Sequence, residues 1–131
     1  MVLSSYFCNK RKRIIIMIKA LFFDIDGTLV SFNTHTIPQS TLNAIAELRK
    51  KGIKLFISTG RPRVAINNLG NLEFDGYITM NGSYCFGEND EVIYKSPIPK
   101  SDVETMLGIL KKERNCSCVV VQGKEMSFCN R

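Results

Sequence analysis

The sequence predicts an α/β fold built on a parallel sheet, followed by the start of a second α/β unit. Three observations carry this reading. Short apolar runs at residues 21–23, 53–57 and 77–80 alternate with helical patterning and turn signals, the rhythm of βαβ units. The first run is unbroken, as in a strand covered on both faces of a parallel sheet. Beyond Pro97 and Pro99 the pattern restarts with a helical stripe and two further strand-like runs.

Length and composition bound the answer. With 131 residues, 44% of them hydrophobic and 23% charged, the chain has room for one ordinary domain with a workable core. Its formal charge is +6, but Lys10, Arg11, Lys12 and Arg13 supply four of those charges in one run, leaving +2. So mild a balance argues against a nucleic-acid partner. No run reaches the ~18 apolar residues of a membrane span. Residues 1–16 look foreign to the rest of the chain, and Met17-Ile18-Lys19-Ala20 makes a natural start. Basic-then-apolar is the order of a signal peptide, but the apolar run is short, Lys19 interrupts it, and it leads straight into Asp24. The expectation is a non-native or loosely ordered extension. Five cysteines (Cys8, Cys85, Cys116, Cys118 and Cys129), odd in number and without CxxC spacing, read as reduced thiols of a cytoplasmic protein.

The elements come in order. Residues 21–23 form the first strand and end in Asp24-Ile25-Asp26-Gly27-Thr28. In an extended segment, residues i and i+2 point the same way, about 6–7 Å apart. Asp24 and Asp26 should therefore leave one side of the strand end, close enough to share a metal or substrate. Gly27 permits a tight turn whose following amides can face an anion. Residues 31–39 are a polar loop holding His35, the only histidine, which reads as solvated. Pro38 and Ser40 open a helix with Leu42, Ile45 and Leu48 on one face, Lys50 and Lys51 near its end, and Gly52 as the stop. The strand at 53–57 completes βαβ and leads into Ser58-Thr59-Gly60-Arg61-Pro62. A strand-end hydroxyl, a glycine, an arginine and a proline suited to a first helical turn outline a phosphate site. A short helix is expected over 64–69, then a strand at 77–80 ending at Asn81-Gly82, the carboxyl end where open α/β sheets bind ligands. Residues 84–86 and 92–94 read as a hairpin. Ser101-Asp102-Val103-Glu104 reads as a capping box opening a helix with Val103, Met106, Leu107 and Leu110 on one stripe. Residues 118–121 and 126–128 read as strands.

The run DxDGTLV, the TGRP turn and the NG strand end, in that order, resemble the Cof-type branch of the haloacid dehalogenase (HAD) superfamily of phosphohydrolases. From Met17 onward the chain is similar to bacterial hexose-phosphate phosphatases. The resemblance implies a Rossmannoid three-layer core, here partial and covering 17–82. At 83–131 it implies a linker hairpin and the beginning of an α/β cap. It also implies roles: Asp24 as the nucleophile that forms an aspartyl-phosphate, and Asp26 as acid/base. Mg2+ would be held by the Asp24 carboxylate and the Asp26 carbonyl, and the phosphoryl group by Thr59, Gly60 and the amides of Gly27 and Thr28. Arg61 and Asn81 would contact substrate, a small-molecule phosphate ester. A carboxylate nucleophile splits one hard displacement into two, and the rest of the catalysis is positioning and charge stabilisation.

The resemblance also implies a later lysine and a GD-x3-ND-like acidic pair, for which this chain offers no counterpart. The expectation is the N-terminal part of a phosphatase roughly twice this length. Without the later strands the first strand would expose an apolar edge through which chains associate. Two relatives of this reading stay open, a non-catalytic remnant and a phosphotransferase using the same intermediate. A receiver-type signalling domain would need its phosphoacceptor at the third strand's end, where Asn81 stands.

Overall fold

The computed structural model describes residues 17–113, 118–122 and 125–129. The extension at 1–16, with Cys8, lies outside the described residues, as does Cys116. Cys85 and Cys118 are free thiols.

Strands β1 (Ala20–Phe23), β2 (Lys54–Ser58), β3 (Gly76–Thr79), β4 (Tyr84–Gly87) and β5 (Val92–Lys95) form one sheet in that spatial order. The β1–β2 and β2–β3 pairs are parallel, with Phe22 opposite Phe56 and Ile57 opposite Tyr77. The sheet is mixed rather than wholly parallel, because the hairpin β4–β5 folds back antiparallel onto β3. The hairpin that the sequence assigns to a linker lies in this same five-stranded sheet.

Helix α1 (Gln39–Lys50) packs on one face of the sheet. Ile45 is buried and Leu42 and Leu48 half-buried, as their spacing predicts. Pro38 precedes the helix, and Gly52 beyond its end takes the left-handed φ of 71° that glycine adopts without strain. The core against this face gathers Ile25, Leu29, Val30, Leu55, Ile57 and Phe74. Three of these six come from the DxDGTLV run itself.

Strand β1 departs from the expectation of burial on both faces. Leu21 and Phe23 turn toward the core, but Phe22 is 57% exposed. Its ring stacks on Phe56 at 4.9 Å, and β1 is the edge of the sheet among the described residues. An unbroken apolar run records that both faces are meant for burial; it does not supply the cover.

Two further expectations are corrected. The helix predicted over 64–69 shrinks to one 3-10 turn, Arg63–Ala65, because Ile66 turns extended (φ −93°, ψ 90°) and packs against the core. The capping box at Ser101 does not form. Pro99, with φ −53°, already sets the helix entry, so α2 (Lys100–Lys112) starts ahead of Ser101, whose hydroxyl donates to Asp102 at 3.2 Å. Val103, Leu107 and Leu110 are half-buried, whereas Met106 is exposed. Strands β6 (Cys118–Gln122) and β7 (Glu125–Cys129) pair antiparallel as a separate two-stranded sheet, where the sequence places them.

Candidate active site

The carboxyl ends of β1, β2 and β3 lie side by side, and the site is built from what the chain does on leaving each. After Phe23 the strand stops, and Ile25 drops into the core with no exposure at all. Burying Ile25 forces its two neighbours, Asp24 and Asp26, outward. Leu29 and Val30 are buried in turn, and the Gly27 amide donates to the Val30 carbonyl (2.9 Å) while the Val30 amide donates to Ile25 (2.9 Å). The loop is thus closed on itself. Gly27 has φ 75°, a backbone that glycine adopts without strain, and a Cβ there would also displace the exposed Phe32 ring.

Asp24 lines an open pocket of about 540 Å³ together with Ser58, Thr59 and Gly60 at the end of β2. Ile78, Asn81 and Gly82 close it from β3. The buried Thr59 is fixed by its amide, which donates to Ile78 (2.9 Å), and its hydroxyl oxygen accepts from the Arg61 amide (3.2 Å). That bond leaves the hydroxyl hydrogen free in direction, as a phosphate donor must be. At the end of β3, Met80 and Asn81 both take left-handed backbone, φ 52° and 54°. Such paired strain in non-glycine residues persists only where surroundings impose it. Here the Met80 amide donates to Arg61 (3.2 Å) and the Asn81 amide to Thr59 (3.3 Å), knitting the two strand exits together. Gly60 lets the Asn81 side chain close in: a Cβ at 60 would stand 3.1 Å from Asn81 Oδ1.

β1 ends at Phe23, so both carboxylates leave from the loop beyond it; Asp24 lines the pocket, and its charge also reaches Arg61. Asp26 faces Arg61. Arg61 Nε donates to Oδ2 (2.8 Å) and Nη2 to Oδ1 (2.6 Å), a two-pronged ion pair. The hydrogen-bonding guanidinium holds the Asp26 carboxyl below the usual carboxylate range despite an opposing effect of burial, and Asp26 pushes Arg61 up in return. Arg61 Nη1 donates to the Ala65 carbonyl (2.9 Å) and reaches Asn68 Oδ1 (3.4 Å). Arg61 is therefore directed at Asp26, with the pocket's Asp24 near enough for its charge to act on the same guanidinium. The amides of Gly27 and Thr28, read from sequence as facing an anion, are turned inward, the second to Ile25 (3.4 Å). Nor does a helix N-terminus face the pocket after Pro62, since a single 3-10 turn comes after it. His35 sits in the exposed loop with φ 52°.

The sequence missed the Asp26–Arg61–Asn68 line. No spacing signals it, because 35 residues separate the first two and the third depends on a loop path. Ser58 and Ile78 in the pocket wall were not singled out by the sequence, which marked Thr59 as the strand-end hydroxyl.

The donors fit Mg2+ in kind, a hard carboxylate oxygen and a backbone carbonyl. In number they are incomplete: among the described residues no three His, Cys, Asp or Glu side chains gather where they could hold a metal.

A carboxylate, a hydroxyl, a glycine and an asparagine thus line one pocket at the ends of three adjoining parallel strands. The chain belongs to the haloacid dehalogenase-like hydrolase family, whose pattern matches residues 21–131. Among solved structures it is similar to the HAD subclass IIB sugar phosphatase BT4131, at 52% identity and a TM-score of 0.78, over 86% of this chain and 44% of that one. The phosphatase BT1666 from Bacteroides thetaiotaomicron shares 31% identity with a TM-score of 0.74, over 95% of this chain and 45% of that one. The HMP-PP phosphatase of Shigella flexneri is 33% identical over 93 residues, 70% of this chain and 34% of that protein. The chain thus spans about a third or less of the curated relatives it matches and under half of the solved chains. Among the described residues no helix is long and apolar enough to cross a membrane.

Proposed function

We propose that this chain carries the nucleophile-bearing part of a Mg2+-dependent phosphatase acting on small phosphate monoesters, hexose phosphates foremost. The observation that carries it is Asp24 facing the cup of Thr59, Gly60 and Asn81 at the ends of three adjoining strands. The likeness to a sugar phosphatase at 52% identity supports the substrate class.

In this reading an Asp24 oxygen attacks phosphorus and the bond from phosphorus to the sugar oxygen breaks. Asp26 gives the departing oxygen a proton. Water then attacks the same phosphorus, Asp26 takes its proton, and the Asp24 carboxylate is released with inorganic phosphate. The Arg61 pair favours the ionised Asp26, the form that accepts the proton from water. Thr59 and the Gly60 amide hold the phosphoryl oxygens, Asn81 borders the cup, and Gly27 and Thr28 shape the turn. The Asp24 carboxylate and the Asp26 carbonyl would hold Mg2+, which would supply positive charge between an anionic nucleophile and an anionic phosphate.

The test is release of inorganic phosphate from a panel of hexose phosphates, with Mg2+, by this chain and by a form extended to the length of its relatives. The extended form is expected to turn over and this chain to do so poorly, with two electrostatic partners missing at about 10²–10³ each. Asp24→Asn abolishes turnover in either. Substantial activity in that variant would sink the mechanism.

A further inference from the structure

We propose that Arg61 is the positioning residue for Asp26, itself anchored by the Ala65 carbonyl and Asn68, and not a contact to the substrate's phosphate. The inference rests on the proposed role of Asp26 as acid/base. A guanidinium has five N–H groups, and four bonds from this one are accounted for within the protein: two to Asp26, one to Ala65 and one to Asn68. The planar fork meets both carboxylate oxygens at once, which fixes the rotation of the carboxylate as well as its place. A single lysine ammonium could not do so. Only the second N–H of Nη2 is left over, so Arg61 cannot turn a two-pronged grip on a phosphate without giving up that fork.

The anchor beneath it is firm. Ile66 and Leu69 on either side of Asn68 pack against the core. Arg63 in the same turn pairs with Asp90 of the β4–β5 loop and lies 4.5 Å over the Phe86 ring. The loop carrying Ala65 and Asn68 is thereby tied to the sheet. Arg61 also acts through its backbone, since its amide bonds the Thr59 hydroxyl and its carbonyl takes the Met80 amide. One residue thus sets the orientation of the phosphate-cup hydroxyl with its main chain and of the acid/base with its side chain.

The test reads the Arg61 Nε–H by NMR in this chain. Its exchange with water is expected to be at least ten-fold slower than that of the exposed Arg49 side chain. Asp26→Asn removes the protection, and Asn68→Ala lowers it while the backbone amide spectrum stays unchanged. Inorganic phosphate shifts the Thr59 and Gly60 amides and leaves the Arg61 Nε–H in place. Fast exchange in the unmodified chain, no effect of Asp26→Asn, or phosphate drawing the Nε–H away from Asp26 overturns the proposal. Phosphate that shifts neither amide instead counts against the phosphate cup, and the pair is still judged by Asp26→Asn. In the extended form, Arg61→Lys lowers kcat by up to about 10²-fold with KM unchanged. The loss is greater for hexose phosphates than for p-nitrophenyl phosphate, whose leaving group needs no proton. A rise in KM at constant kcat marks Arg61 as a substrate contact and refutes positioning.

Discussion

Replacing Asp75 by alanine removes the side-chain clamp between the residue that leads into β3 and the start of β2. Asp75 Oδ2 accepts the Leu55 amide at 2.9 Å and Oδ1 accepts Lys54 Nζ at 2.5 Å, while Arg49 stands 3.8 Å away. The carboxylate side chain is only 11% exposed, whereas Lys54 is 67% exposed. That asymmetry sets the magnitude. A part-buried hydrogen bond from a backbone amide to a charged acceptor is worth about 1.5–3 kcal/mol, and the solvent-screened lysine pair adds less than about 1 kcal/mol. Asp75→Ala is therefore expected to cost about 2–3 kcal/mol at neutral pH by these two contributions. The pH dependence is the sharper check. Burial pushes the carboxyl up, but the Leu55 amide, Lys54 and Arg49 outweigh it, so the folded carboxyl lies below its ordinary value. Between the two values the unfolded chain binds more protons than the folded one, and stability rises with pH. The contribution is complete above the unfolded value of about 4 and lost as pH falls through the lower folded value. Urea unfolding of both proteins at pH 7, and stepwise down to pH 3, reads this as a gap that narrows in acid. A difference under about 0.5 kcal/mol at pH 7, the level of an ordinary surface change, or a gap unaltered by acid, refutes the reasoning.

Other perturbations test the remaining links. Asp26→Asn in the extended form should lower kcat on hexose phosphates by about 10²–10⁴; normal rates would remove Asp26 from proton transfer. Gly27→Ala should destabilise by about 1–3 kcal/mol, the cost of left-handed backbone, with displacement of Phe32 added, and urea midpoints measure it. An unchanged midpoint would show the turn to be less constrained than its φ of 75° indicates. Phe22→Lys should shift this chain toward monomer in sedimentation, because a charge on an apolar edge strand opposes edge-to-edge pairing. The same association state in both proteins would discount that edge.

The sequence by itself determined the chemistry on offer and much of the sheet. Apolar runs closed by Asp24, Thr59 and Asn81 marked three strand ends, and alternation within Asp24-Ile25-Asp26 already implied that burying Ile25 throws two carboxylates outward. Leu42, Ile45 and Leu48 marked the packed face of α1 because helical periodicity is local. What only tertiary structure decided is where those groups point. The spacing of Asp24 and Asp26 described an ideal strand, but the strand ends at Phe23, and one acid faces the pocket while the other meets Arg61. Arg61 looked like a phosphate contact because a cation beside a glycine at a strand end is the usual local sign of one. Within the protein its side chain pairs with Asp26, 35 residues away, brought there by parallel pairing of β1 and β2 and by a loop whose helix gives way after Ala65. Local pattern fixes which residues can be buried or charged. The partner of a charge is set by pairings between distant segments, and no short window of sequence contains them.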